Sequence, residues 1–480
     1  MTAFANTPFG LYRGLQRDDI QTFRGIRFAT SQRFQHPVLV PAHHDEFDAT
    51  SFGPQCPQFP GLMEQAFGSS SMAMDEDCLR LNIVTPRCDD RQRPVLVWIH
   101  GGAFTTGAGS IPWYDGAHLV RHGDVVVVTI NYRLGALGFA GPDNWGLADQ
   151  VVALQWIQQS ISSFGGDPSN VTIFGESAGG ASVVTLMATP SAAGLFARGI
   201  AMSPSLGQLR SRHTADTALV RFLDLAGSAS LDELRDAPLD RILTAQGEVL
   251  SSGGAGLTDF APCSDGHLIP LPIAQAAAAN PKPLIVGTTR DEMRLFNAFN
   301  PAMADPSDEQ ILAMLDGYLN GQSTHALAVY RSVMPDASNY ELFCAAQTDA
   351  VFRAPMWDLV NGRIAAGSPT WVYWFTWRTP VFDGRLGACH AIDVPFTFHT
   401  LDRNGVEMFT GTGTDRIAVA DALSGAVLGF AATGQASWPT YHDATRAVQR
   451  FDEHSEILLD PDASLRLLWA NTSMALLGMP

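Results

Sequence analysis

The chain has 480 residues, of which 46% are hydrophobic and only 16% are charged, whereas an average soluble domain has roughly 25% charged residues. These values predict a large buried core and exclude a disordered chain. The formal net charge of −18 repels phosphate backbones, so nucleic acid is excluded as a partner.

No apolar run reaches the ~18 residues that a membrane-crossing helix needs. The best candidate, residues 417–432, is interrupted by Asp421, Ser424 and two glycines. The N-terminus lacks the basic and apolar regions of a secretory signal, which predicts a cytoplasmic protein without a membrane span. Six cysteines are too few for a disulfide scaffold. Cys56 and Cys78 are close enough in sequence to close a short loop, either as a disulfide or as two thiols.

Short β-branched runs alternate with helical stretches along the chain, which predicts a mostly parallel sheet covered on both faces. The predicted strands are residues 95–99, 125–130, 171–174, 284–286 and 371–375. Apolar residues at helical spacing predict a helix between the second and third strands, at Leu147, Val151, Leu154, Ile157 and Ile161. The chain has no internal repeat and no linker, so we expect one domain over residues 1–480.

The polar residues that suggest chemistry follow these strands. The sequence His-Gly-Gly at 100–102 follows the first strand, Ser177 follows the third and Glu292 follows the fourth. Open α/β sheets bind ligands at the carboxyl ends of their strands, so these residues are expected to converge in one crevice.

Ser177 is the candidate nucleophile, because it is the serine of a G-x-S-x-G sequence between a predicted strand and a predicted helix. Such a turn strains the central residue and lifts its hydroxyl above the sheet. Gly175 and Gly179 are required because larger side chains would collide with the neighbouring strand and helix. An ordinary glycine-rich turn with an incidental serine is the alternative, and the strand–turn–helix setting disfavours it.

The stretch Trp98–Phe104 ends a strand in small residues, where backbone N–H groups can approach a substrate oxygen. We expect Gly102 and Ala103, with the N–H of Ala178, to hold the oxyanion of a tetrahedral intermediate. The alternative is a tight turn that merely leaves the sheet.

A serine needs a histidine base that is oriented by a carboxylate, in the chain order Ser, Asp or Glu, His. His390 lies in a small-residue loop after a late strand, and His399 competes with it by position. Asp291 and Glu292 are adjacent after the fourth strand, and local chemistry cannot separate them.

Together these segments resemble the type-B carboxylesterases, which include bacterial para-nitrobenzyl esterases, animal liver carboxylesterases and cholinesterases. The resemblance extends from about residue 20 to 445 and includes a chain of motifs in the family's order. These motifs lie at residues 23–29, 33–34, 76–82, 131–139, 146–150, 164–168, 175–180 and 438–441.

The resemblance implies an α/β-hydrolase fold, in which a large, mostly parallel sheet is flanked by helices and insertions cap the active site. It implies that Glu292 and His390 complete a triad with Ser177, and that Gly102, Ala103 and Ala178 form the oxyanion hole. It also implies no metal and no organic cofactor. Cys56 and Cys78 resemble the first disulfide pair of the secreted animal members.

Three positions depart from the family's usual pattern. Ala391 and Asp393 stand where many members have glycine and glutamate, and Met293 replaces the glycine after the acid. None of these changes removes a reacting group.

We therefore expect a serine carboxylesterase that uses water to hydrolyse small, largely apolar esters through an acyl-enzyme on Ser177. A carbamate or amide hydrolase would use the same residues, because pocket shape selects the leaving group. A non-catalytic adhesion-type relative is the alternative from another class. Loops at residues 60–75, 205–212 and 396–412 are expected to line the pocket.

Overall fold

The computed structural model of the protein describes residues 1–61, 72–251, 259–270 and 272–470. Most of its strands join one mixed sheet. The strands are β1 Thr2–Thr7, β2 Gly10–Arg17, β3 Ile20–Arg27, β4 Ala29–Thr30, β5 Val38–Leu39, β6 Phe47–Asp48, β7 Arg80–Thr85, β8 Arg93–Ile99, β9 Val126–Ile130, β10 Gly166–Glu176, β11 Arg198–Met202, β12 Leu284–Thr289, β13 Thr370–Phe375, β14 Ala447–Phe451 and β15 Glu456–Leu459.

Helices lie between these strands and after the last of them. They are α1 Ala117–Gly123, α2 Gly135–Phe139, α3 Trp145–Ser160, α4 Ala178–Met187, α5 Arg212–Leu225, α6 Leu239–Ser251, α7 Ile273–Ala279, α8 Arg294–Asn297, α9 Asp308–Leu319, α10 Ser323–Val333, α11 Asn339–Thr348, α12 Ala354–Ala365, α13 Val394–Thr397, α14 Glu407–Thr410, α15 Asp415–Thr433 and α16 Ala463–Trp469.

The centre of the large sheet is parallel. Its strands lie in the order β1-β2-β3-β7-β9-β8-β10-β11-β12-β13-β14-β15, with β6 beside β2. Each pairing from β9 to β14 is parallel, and the pairings at the two flanks are antiparallel except for β2 with β6. The five strands predicted from the sequence are β8, β9, β10, β12 and β13, and all of them lie in this parallel centre.

Alternating side chains of the central strands build a core on each face of the sheet. In β8, Val95, Val97 and Ile99 belong to one buried cluster, whereas Leu96 and Trp98 belong to the other. Because both faces are covered, the strand is a continuous apolar run rather than an alternation of apolar and polar residues.

A third cluster lies in the helical segment before β13. Helices α9, α10 and α11 pack together around Leu315, Tyr330 and Phe343, and Trp469 of α16 joins them. The helical segment that contains this cluster continues into residues that contact the candidate active site.

Helix α15 contains the apolar run that the sequence analysis singled out. By length and composition it is the one helix among the described residues that could cross a bilayer. Its Leu423, Val427 and Phe430 are buried in the second core, and a core helix meets the same criterion. The helix therefore does not indicate a membrane span.

The strand register brings several carboxyl ends to one edge of the sheet. Ile99 of β8 pairs with Gly175 of β10, and Thr289 of β12 pairs with Phe375 of β13. The loops that follow these strands therefore start side by side, as the sequence predicts.

Candidate active site

Ser177 occupies the turn between β10 and α4 in a strained backbone conformation. Its φ is 59° and its ψ is −120°, a conformation that costs a residue with a side chain about 1–3 kcal/mol. The turn is fixed on both sides, since the Ser177 N–H donates to the carbonyl of Met202 at 3.0 Å and the Ser177 carbonyl accepts from Ala181 N–H at 2.8 Å.

Two glycines allow this turn to approach the neighbouring strand. A Cβ on Gly179 would lie 2.0 Å from the carbonyl oxygen of Ile99, and one on Gly175 would lie 2.6 Å from the same oxygen. Both contacts are far inside van der Waals distance and involve backbone, which cannot move aside. The glycines of the G-x-S-x-G sequence are therefore a steric requirement of the turn.

We expect Gly179→Ala to lower the unfolding free energy by about 1–3 kcal/mol, because overpacking a tight contact forces the backbone to shift, and to reduce esterase activity sharply. Thermal unfolding and turnover of p-nitrophenyl acetate measure the two effects. The matched control is Gly425→Ala in α15, where the new Cβ meets no described atom within 4 Å. A Gly179→Ala variant as stable and active as this control would contradict the steric account.

Unused amide hydrogens lie beside this turn. Gly102, Ala103 and Phe104 have φ values of 105°, 52° and 59°, so three consecutive residues are left-handed. Among the hydrogen bonds of the described residues, none uses the N–H of Gly102, Ala103 or Ala178. A Cβ on Gly101 would lie 3.1 Å from Ser177 Cβ, so the loop adjoins the candidate nucleophile.

Glu292 is fully buried and fixed at both carboxylate oxygens. Its Oε1 accepts from the Thr289 N–H at 2.8 Å, and its Oε2 lies 2.6 Å from His390 Nδ1. The Glu292 carbonyl also accepts from the His390 N–H at 3.3 Å. An imidazole bound in this way carries its proton on Nδ1 and presents Nε2 as a base.

Asp291 has a different environment from its neighbour. Its carboxylate accepts from the Ala388 N–H at 2.8 Å and forms ion pairs with Arg290 and Arg294. Burial opposes ionisation, but the two guanidinium groups outweigh it and lower the pKa of Asp291. Asp291 therefore joins the Glu292 loop to the His390 loop and does not contact the imidazole itself.

His399 lies elsewhere on the molecule. Its ring stacks on His118 with centroids 3.8 Å apart, and its Nε2 lies 2.9 Å from the exposed carboxylate of Asp421. The sequence left these two histidines as alternatives for the base, and their different surroundings distinguish them. Among the described residues, only His390 is paired with a carboxylate of the sheet edge.

A second buried carboxylate faces the other nitrogen of the imidazole. His390 Nε2 lies 3.1 Å from Glu176 Oε1, as an ion-pair contact without hydrogen-bond alignment. None of the hydrogen bonds among the described residues joins His390 to the Ser177 hydroxyl. Glu176 directly precedes Ser177 in the chain, and hydrogen bonds of a catalytic base often tighten only when substrate binds.

Burial and charge shift the titration of this cluster. Burial raises the pKa of Glu176 to about 8. Burial alone would lower the pKa of His390, but Glu176 and Glu292 outweigh it and raise that pKa to about 9. Asp393, which accepts from the Tyr373 hydroxyl at 3.0 Å, has a pKa that burial raises to about 7.

Two phenylalanines that the sequence analysis missed flank the imidazole. The ring centroid of Phe352 lies 4.8 Å from that of His390, and the centroid of Phe296 lies 5.4 Å from it. Phe352 is buried and Phe296 is 40% exposed, so Phe296 is accessible from solvent. Both lie outside the three loops expected to line the pocket, and most of the first of those loops, residues 62–71, lies outside the described residues.

The remaining polar groups of the described residues do not form a metal centre. Among them, no group of three or more His, Cys, Asp and Glu side chains is arranged to hold a metal ion. All six cysteines are described and are free thiols, with Cys56 and Cys78 in contact.

Comparisons with known proteins identify the family of this chain. The sequence profile of the Carboxylesterase family matches residues 2–463. The chain is 35% identical to the para-nitrobenzyl esterase of Bacillus subtilis (strain 168), over 96% of this chain and 97% of that protein. It is 33% identical to the phenmedipham hydrolase of Pseudarthrobacter oxydans, over 95% and 96% of the two chains.

The fold also matches a solved structure. A carboxylesterase of Geobacillus stearothermophilus superposes with a TM-score of 0.86 at 35% identity, covering 97% of this chain and all of that one. The chain therefore has the α/β-hydrolase fold, and this part of the sequence prediction is confirmed. More specifically, it belongs to the carboxylesterase family and is a carboxylic-ester hydrolase, a serine esterase.

Proposed function

We propose that Ser177 is the nucleophile, His390 the general base and Glu292 the orienting acid of this esterase, with Gly102, Ala103 and Ala178 as its oxyanion hole. One observation carries the proposal, which is the buried 2.6 Å contact between His390 Nδ1 and Glu292 Oε2 beside the strained turn of Ser177. A hydroxyl becomes an effective nucleophile only where such an oriented base can take its proton.

In the acylation step, His390 Nε2 turns from Glu176 to the Ser177 hydroxyl and removes its proton as the oxygen attacks the ester carbonyl. Three N–H groups without partners among the described residues, those of Gly102, Ala103 and Ala178, are free to hold the carbonyl oxygen as it becomes negative. Losing one such donor typically costs about 3–4 kcal/mol of transition-state stabilisation. The tetrahedral intermediate collapses when the imidazolium gives its proton to the departing alcohol.

Deacylation repeats these steps with water as the nucleophile. His390 takes a proton from water, the hydroxide attacks the acyl-enzyme and the carboxylic acid leaves as Ser177 regains its proton. Glu292 stabilises the imidazolium in both half-reactions and keeps the proton of the neutral ring on Nδ1.

The substrates we propose are small, largely apolar esters. Phe296 and Phe352 place two aromatic rings beside the reacting imidazole, and apolar groups bind such surface without losing hydrogen bonds to water. A related esterase is named for para-nitrobenzyl substrates, which fits an aromatic wall.

Carbamoylation by p-nitrophenyl dimethylcarbamate tests the covalent step. A serine enzyme releases one p-nitrophenol per active chain and then stalls, because the carbamoyl group leaves the serine slowly. We expect this stoichiometric release from the wild type and none from Ser177→Ala. Release without a covalent adduct, or equal release by the variant, would contradict the proposal.

Glu176→Gln tests the electrostatics of the base. The carboxylate of Glu176 raises the pKa of His390, and the enzyme is active only while the imidazole is neutral. Removing the charge lowers that pKa, so the acidic limb of the kcat/KM profile should move to lower pH. Measurement between pH 5 and 9 checks the direction, and a limb that stays in place or moves upward would contradict the assignment of His390 as the base.

We further propose that residues 1–480 form one domain in which the helical segment α9 to α12 caps the active site. The proposed location is cytoplasmic.

A further inference from the structure

The helix that follows the third hydrophobic cluster widens beside the candidate site. Between α11 and α12 the chain forms a single π-helical turn over Asp349–Arg353 and continues as helix on either side. Such turns are rare and frequently occur at functional sites. The surroundings of this one therefore bear on the reaction.

The turn contacts the base directly. Phe352 is 3% exposed, and its ring centroid lies 4.8 Å from that of His390 with a 40° angle between the ring planes. Phe296 lies near the same imidazole at 5.4 Å. The imidazole is thus confined by two rings that offer no hydrogen bond to compete for its nitrogens.

The same turn is hydrogen-bonded to the loop that contains Glu292. The Met293 N–H donates to Thr348 Oγ1 at 3.2 Å, immediately before the turn. At the other end, Arg353 Nη2 donates to the carbonyl of Arg290 at 2.9 Å. These two bonds straddle Glu292, so the turn and the acid loop are joined on both sides of the carboxylate.

Buried polar contacts also hold the turn in place. Arg353 pairs with Asp349 at 2.8 Å, and the Tyr330 hydroxyl donates to the other oxygen of Asp349. Trp469 Nε1 donates in turn to that hydroxyl at 2.8 Å. Helices α10 and α16 thereby hold the position of the turn, and breaking buried pairs of this kind is strongly unfavourable.

We propose that the π-helical turn is a positioning element, which keeps the Glu292 carboxylate and the His390 imidazole in the relative positions that the reaction requires. Its positioning residues are Thr348, Phe352 and Arg353. The inference rests on the proposed function of Glu292 and His390. Positioning matters here because His390 Nε2 lies 3.1 Å from the carboxylate of Glu176 and, in the proposed reaction, must take its proton from the hydroxyl of the next residue, Ser177.

The reason for an effect on rate is geometric. If Phe352 no longer limits the imidazole, the ring adopts further orientations in which Nε2 cannot take the serine proton. A displacement of about 1 Å at a reacting group can cost on the order of 10²-fold in rate. Substrate binding does not require the imidazole to be aligned, so the loss should appear in kcat rather than in KM.

The experiment compares two variants with two matched controls in the full-length enzyme. Phe352→Leu removes the ring while keeping apolar volume, and Thr348→Val removes the hydroxyl that accepts from Met293. Thr348→Ser restores that hydroxyl. Phe343→Leu, in α11 and in the third hydrophobic cluster, tests a buried phenylalanine of the same helical segment that does not touch His390.

The readouts are kcat and KM for p-nitrophenyl acetate, the pH dependence of kcat, thermal stability and the low-field proton NMR signal of the His390 Nδ1–H. We expect kcat to fall on the order of 10²-fold in Phe352→Leu and also to fall in Thr348→Val. In both variants we expect little change in KM, a shifted apparent pKa and a displaced low-field signal. Thr348→Ser and Phe343→Leu should keep the wild-type pH profile and signal.

Wild-type kcat and pH profile in Phe352→Leu and Thr348→Val would overturn the inference, and so would losses that merely follow the decrease in stability seen with Phe343→Leu. If Ser177→Ala is inactive while these variants are normal, only the positioning role is wrong. If Ser177→Ala is fully active, the proposed function itself is wrong.

Discussion

Ser177→Ala is expected to lower kcat for short p-nitrophenyl esters on the order of 10⁶-fold, as the loss of a triad nucleophile does in other serine hydrolases. Without the hydroxyl there is no acyl-enzyme, and only the amide donors and substrate binding remain to assist water. The residue is 9% exposed and no hydrogen bond of its Oγ is found among the described residues, so the fold should keep its thermal stability.

Ser203→Ala is the matched control. Ser203 follows β11 at the same edge of the sheet, is fully buried and has a hydroxyl without a hydrogen-bond partner among the described residues. We expect wild-type turnover from this variant. Comparable activity of Ser177→Ala and Ser203→Ala, measured after active-site titration, would show that the hydroxyl at the elbow is not the nucleophile.

Glu292→Gln is expected to lower kcat about 10⁴-fold, the effect of the corresponding change in a serine protease triad. The carboxylate accepts from two donors, the Thr289 N–H through Oε1 and His390 Nδ1 through Oε2. An amide has one oxygen, so a glutamine that accepts from Thr289 presents its NH₂ group to His390. The ring then carries its proton on Nε2 and cannot act as a base toward Ser177.

Asp291→Asn is the control for that substitution, since it makes the same chemical change one residue earlier. Asp291 pairs with Arg290 and Arg294, so the variant should lose stability in thermal unfolding while keeping most of its kcat. A larger loss of kcat from Asp291→Asn than from Glu292→Gln, at temperatures where both are folded, would reverse the two assignments.

The parallel sheet and the elbow could be predicted from the sequence because their determinants are local. A buried parallel strand is a continuous apolar run, as in residues 95–99, and the elbow is marked by five consecutive residues, although the contact that requires Gly175 and Gly179 includes the Ile99 carbonyl of the neighbouring strand β8. The convergence of the loops then follows from the general rule for parallel sheets.

The choice between Asp291 and Glu292 could not be made from residue types, because both carboxylates follow the same strand. It depends on which side chain contacts the imidazole of His390, because both reach the loop at 388–390, which lies about 100 residues away in the chain. The resemblance to a family, rather than any local pattern, pointed to Glu292.

Glu176 and Phe352 were not recognised for different reasons. Glu176 occupies a variable position of the G-x-S-x-G sequence, although a carboxylate directly before a candidate nucleophile in a buried turn is a usable signal. Phe352 belongs to a helix whose periodicity is broken by a π-helical turn, and a single extra residue in a helix leaves no mark on composition or spacing.

The most direct test of the account is the site and rate of phosphorylation by diisopropyl fluorophosphate, mapped by peptide mass spectrometry. The account predicts one phosphoryl group per chain, on Ser177, with a rate that falls steeply in His390→Gln because the hydroxyl loses its base. A label on another residue, or labelling of Ser177 at the wild-type rate in His390→Gln, would contradict it.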